Sequence, residues 1–73
     1  MRLLEVLRGV WYSSDNINRV WVYDNIEGNS GVKIHIEPYG EFVLKVFPTR
    51  SEAEKYARAF VNKLNKEANP ATD

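Results

Sequence analysis

Val43-Leu44-Lys45-Val46-Phe47-Pro48-Thr49-Arg50-Ser51-Glu52-Ala53-Glu54-Lys55-Tyr56-Ala57-Arg58-Ala59-Phe60-Val61-Asn62-Lys63-Leu64 decides the fold. The stretch begins as a strand and turns into an amphipathic helix. Pro48 ends the sheet, because it has no N–H for a ladder. Thr49-Arg50-Ser51-Glu52 is a capping box. The Thr49 hydroxyl can accept from the Glu52 backbone N–H, and the Glu52 carboxylate can reach back to the Thr49 N–H. Losing such a cap costs about 0.5–2 kcal/mol. Behind it Ala53, Tyr56, Ala57, Phe60, Val61 and Leu64 fall on one apolar stripe. Glu54 and Arg58 form an i,i+4 pair on the opposite, solvated side. The helix frays near Lys66.

Upstream, Glu41 to Phe47 is a strand, and Pro38-Tyr39-Gly40 turns the chain into it. Val32 to Glu37 alternates strictly, with Val32, Ile34 and Ile36 on one face and Lys33, His35 and Glu37 on the other. Glu27-Gly28-Asn29-Ser30-Gly31 is a hairpin loop. Asn18 to Tyr23 is a further strand, preceded by the turn cluster Ser13-Ser14-Asp15-Asn16. Residues 2 to 12 fit two patterns. Leu4, Val6, Arg8, Val10 and Tyr12 alternate as in a strand, while Leu3, Leu4, Leu7 and Trp11 fit a helical stripe. The strand formers Val10-Trp11-Tyr12 favour a strand.

The fold class predicted is α+β: a three- or four-stranded antiparallel sheet with one C-terminal helix packed on one face. Residues 1–66 form a single ββββα domain, and 67–73, with Pro70, form a flexible tail. Val20, Val22, Val32, Ile34, Ile36, Phe42, Leu44 and Val46 face the helix. Arg19, Trp21, Tyr23, Lys33, His35, Glu37, Val43, Lys45 and Phe47 are left on the uncovered face.

Composition narrows the function. A chain of 73 residues is one domain with a small core. Ten Lys/Arg balance ten Asp/Glu, whereas dedicated nucleic-acid binders carry a basic excess. The absence of cysteine removes disulfides and thiolate metal sites and fits a reducing cytosol. The run Leu3-Leu4-Glu5-Val6-Leu7-Arg8 is too short and too charged for a signal peptide or a membrane span. His35 is the lone histidine, with no carboxylate or nucleophile at a motif spacing. The glycines match no phosphate-cradling pattern. The expectation is therefore a non-enzyme with no metal and no cofactor.

The uncovered face combines cations, aromatics and a histidine. Outward aromatics are more telling than charges, because Trp and Tyr are enriched at interfaces. The alternative for Trp21 and Tyr23 is ordinary cross-strand packing. The expected contact residues are Arg19, Trp21 and Tyr23 as anchors, with Lys33, His35 and Lys45 steering.

The run Phe47 to Ala57 resembles the strand-to-helix junction of the AP2-like domain, which also forms the N-terminal arm of tyrosine-type integrases. Phe47, Thr49, Glu52, Ala53 and Tyr56 fill the family's pattern, and the hairpin from Val32 to Phe47 resembles its second and third strands. The resemblance covers about residues 18 to 64. It implies a sheet that enters the DNA major groove, with Arg19, Trp21, Lys33, His35 and Lys45 as the contacting residues. A looser, architectural similarity is to small phage-encoded anti-CRISPR proteins, which block a nuclease complex through surface contacts. The favoured expectation is a protein partner, bound by a phage-type inhibitor. The alternatives are an AP2-like DNA-binding module and a homodimer.

Overall fold

The computed structural model describes residues 2–68. Five antiparallel strands follow in chain order across one sheet: β1 (Leu4–Leu7), β2 (Val10–Tyr12), β3 (Ile17–Asp24), β4 (Ser30–Ile36) and β5 (Gly40–Phe47). One helix, α1 (Arg50–Ala68), closes the chain. The α+β class matches the expectation, but the sheet has five strands rather than three or four. The additional strand comes from residues 2 to 12, which form a hairpin. The chain reverses at Arg8-Gly9, and Gly9 takes φ 77°, a left-handed value that costs glycine little.

The helix lies over β3 and β4. Val20 pairs with Ile34 and Val22 with Val32, so one sheet face presents all four to the helix. With Leu3, Trp11, Ala53, Ala57 and Val61 they form the core. Ala53 and Ala57 are small, which lets the helix backbone sit close to the sheet. Trp11 lies opposite Val20 and is only 4% exposed. The helix start is capped as expected on one side: the Glu52 N–H donates to Thr49 Oγ1 at 3.3 Å. Among the described residues the reciprocal bond from the Glu52 carboxylate is not made. At the other end the helix passes Lys66 and continues to Ala68. Residues 69–73 of the expected tail lie outside the described residues.

Strand β5 departs from the alternation read in the sequence. Lys33 pairs with Val43 and Val32 with Lys45, which leaves Leu44 as an extra residue in a bulge. A slip of one residue sends the following side chains to the other face. Val46 therefore pairs with Gly31 on the uncovered face, and Lys45 and Phe47 turn to the helix side. There the Lys45 ammonium lies 5.3 Å from the Phe47 ring centre and 6.0 Å from that of Tyr56. Lys45 and Phe47 are thus removed from the expected contact face, and Val46 is added to it.

The charged side of the helix is not merely solvated. Glu54 is buried and binds Arg50 at 2.8 Å and Arg8 at 3.1 Å, in place of the expected pair with Arg58. Arg58 reaches Glu5 at 2.9 Å and lies over the Trp11 ring at 5.4 Å. Asn65 clamps Leu3, accepting from its N–H at 2.8 Å and donating to its carbonyl at 3.1 Å. These contacts bind the β1–β2 hairpin to the helix. Arg50 also meets Asp24 at 2.9 Å, where Ser30 donates to the same carboxylate.

Three carboxyls hold their protons less tightly in this fold. Glu5 is lowered from 4.5 by the Gly9 N–H and by Arg58. Asp24 is lowered from 3.8 by Ser30 and Arg50. Burial would raise Glu54, but hydrogen bonds from Arg8 and Arg50 outweigh it and the net direction is down from 4.5. A depressed carboxyl stabilises the fold fully above its unfolded value, and that contribution fades as pH falls through the folded one. The thermal midpoint is therefore expected to hold from neutral pH down to about pH 5 and to fall below it. The Glu5→Gln, Glu54→Gln double variant should start lower at neutral pH and show a flatter acid limb. Parallel limbs for the two proteins would contradict the assignment.

Candidate functional site

Strand register arranges the uncovered face in cross-strand rows. Leu7, Val10, Trp21, Lys33 and Val43 are successive partners, one from each strand. The row runs the full width of the sheet and is apolar except for Lys33, whose methylene stem is itself apolar. Leu7 is 68% exposed and Val43 53%. A second row, Leu4, Tyr12, Arg19, His35 and Glu41, lies alongside it. A third is Tyr23, Gly31 and Val46.

Of the expected contact residues, Arg19, Trp21, Tyr23, Lys33 and His35 share this face, and Lys45 does not. All five are half-buried, Arg19 against Trp21, Lys33 against Tyr23 and His35 beside Asn18. The Arg19 guanidinium carbon lies 3.7 Å from the Trp21 ring centre. The Lys33 ammonium lies 4.7 Å from that of Tyr23. Tyr23 lies across Gly31, so closely that a Cβ there would overlap its ring. An aromatic covering a cross-strand glycine replaces the missing side chain. The packing reading of the aromatics is what these contacts show. They pack across strands, and they do so on the side the helix leaves open.

His35 is oriented by its neighbours. Its Nδ1 lies 2.7 Å from Asn18 Oδ1. The Asn18 amide nitrogen donates to Glu37 at 3.2 Å, which fixes which end of the amide faces the ring. Because Oδ1 can only accept, Nδ1 carries the proton. Asn18 can do this because it is the extra residue of a second bulge, between the pairs Ile17–Ile36 and Arg19–His35. Tyr12, Ser13, Asn18, Arg19, His35 and Glu41 line an open depression of about 400 Å³.

Sequence reasoning missed Leu4, Leu7, Val10 and Tyr12, which extend the face across β1 and β2. The signal that could have found them is Arg8-Gly9 between two apolar runs, a two-residue hairpin spacing. Val46 had no such signal, since its position depends on the bulge. Among the described residues no cluster of three or more His, Cys, Asp or Glu could hold a metal ion. No described helix is long and apolar enough to cross a membrane. No protein-family model, curated protein or solved structure matches the chain.

Proposed function

We propose that the chain is a small non-catalytic binding protein that docks a protein partner on its uncovered sheet face. The observation that carries this reading is the apolar row from Leu7 through Trp21 to Val43. Interface centres are apolar and rich in Trp, Tyr and Arg, with polar groups at the rim. The Arg19, His35 and Glu41 row supplies such a rim. Action by occupancy, as in a phage-type inhibitor such as an anti-CRISPR protein, is the concrete form of the reading. A chain without cysteine is suited to do this in a reducing cytoplasm.

The AP2-like DNA-binding module is the alternative. It gains from Arg19, Lys33 and His35 sharing a face. It loses from Lys45 turning to the helix side, from Glu41 standing in the same row as Arg19, and from a net charge of zero. Affinity from phosphate contacts grows with the number of cations that reach them.

Affinity capture from the cells that make the protein, with and without nuclease treatment, separates the two. A protein recovered equally in both arms is expected. Recovery that disappears with nuclease, together with retarded duplex DNA at about 50 mM salt, would favour the DNA module. A homodimer would instead run in solution at about 17 kDa, twice the chain's 8.5 kDa.

A further inference from the structure

The uncovered face carries an arginine whose donors are unused. The Arg19 guanidinium sits over the Trp21 ring, and Trp21 is held in β3 between Val10 and Lys33. Stacking fixes the plane of a guanidinium without engaging its N–H groups. Among the described residues the Arg19 side chain donates no hydrogen bond. Its Nε is buried without a partner. Glu41 comes within 3.7 Å of one terminal nitrogen, beyond hydrogen-bond reach. The side chain is 34% exposed and lines the depression shared with Tyr12, Ser13 and His35.

We infer that Arg19 is a carboxylate receptor, into which the protein partner inserts an Asp or Glu side chain. The inference rests on the protein-docking reading and adds the chemistry of one partner residue. A guanidinium fork matches a carboxylate with two parallel hydrogen bonds. Its usual cost, ordering a long flexible side chain, is already met by the Trp21 stack. Tyr12 and Ser13 line the same depression. Glu41 is the internal competitor: it sits on the free strand β5, half-exposed, and holds the guanidinium only loosely. A phosphate fits the same fork. A nucleic-acid strand, however, brings a run of phosphates past Glu41 and Glu37, whereas a protein can bring one carboxylate to one arginine.

The test is a titration of the isotope-labelled full chain followed by nuclear magnetic resonance. The probes are N-acetyl-glutamate N-methylamide, its glutamine counterpart and a short DNA duplex. Saturable shifts at the Arg19 Nε and at the Arg19, Trp21 and His35 amides are expected with the glutamate compound. Binding of the glutamine compound should be weaker by about tenfold or more, the factor a charge-assisted hydrogen bond supplies. Arg19→Gln should abolish the difference between the two. Glu41→Gln should tighten glutamate binding about twofold to fivefold, as expected for removing an exposed competing ion pair. Equal binding of both compounds, no shift at Arg19, or shifts with the duplex alone would each overturn the inference. Its failure is separable from failure of the docking reading. A captured partner held equally well by Arg19→Gln but lost by Trp21→Ala leaves the face standing and removes the receptor. A partner retained by both variants removes the face as well.

Discussion

Trp11→Ala is expected to lower the thermal midpoint by about 12 °C or more. Trp11 is sealed between β3 and the helix, opposite Val20 and beneath Arg58. Truncating a buried Trp costs about 3–5 kcal/mol. A domain of this length is stabilised by only roughly 4–11 kcal/mol in total, at about 0.05–0.15 kcal/mol per residue. One side chain therefore supports a large part of the fold. Loss of the helical circular-dichroism signal on heating is the measurement. A midpoint within a few degrees of the parent would mean that the β1–β2 hairpin is not part of the core.

Trp21→Ala should behave in the opposite way. Trp21 is half-buried on the uncovered face, and its loss removes the Arg19 stack, worth about 0.5–1 kcal/mol at such a site. The midpoint is expected to fall by only about 2–8 °C. Binding to the captured partner should weaken by about 2 kcal/mol or more, roughly thirtyfold, because Trp21 stands at the middle of the apolar row. Titration calorimetry with the purified partner reads this directly. Unchanged affinity in a folded variant would end the case for this face. Unfolding as severe as that of Trp11→Ala would mean that Trp21 is core and that the outer side of the sheet has been misassigned.

The contrast between the two indoles shows what the sequence made legible. Trp21 lies in a strand whose neighbours Val20 and Val22 declare the inner face by simple alternation, so its outward position could be read. Val32 and Ile34 declare it again, and Ala53, Ala57 and Val61 supply the matching helical stripe. All seven are buried. Trp11 sits in a stretch that satisfies both strand and helix periods, and only the reversal at Gly9 resolves it. Lys45 could not be placed because Phe42 to Phe47 is almost continuously apolar. Nothing in such a run marks where a ladder gains a residue. Glu54 was assigned to solvent on its charge alone, yet two arginines distant in sequence, or one turn back, make its burial tolerable. Such compensation comes from tertiary partners, which no local window contains.

The supernumerary Leu44 has a meaning beyond the side chains it redirects. A long outer strand with Phe42, Val43 and Val46 in contact with water is a natural template for a neighbouring molecule to zip onto. Here the template is spoiled: its peptide groups lose step midway, an ammonium follows the break, and a proline stands just past the end. Stacking into ribbons is discouraged at the rim of the molecule, so the apolar row on the open face does not by itself draw copies of the chain into an extended sheet.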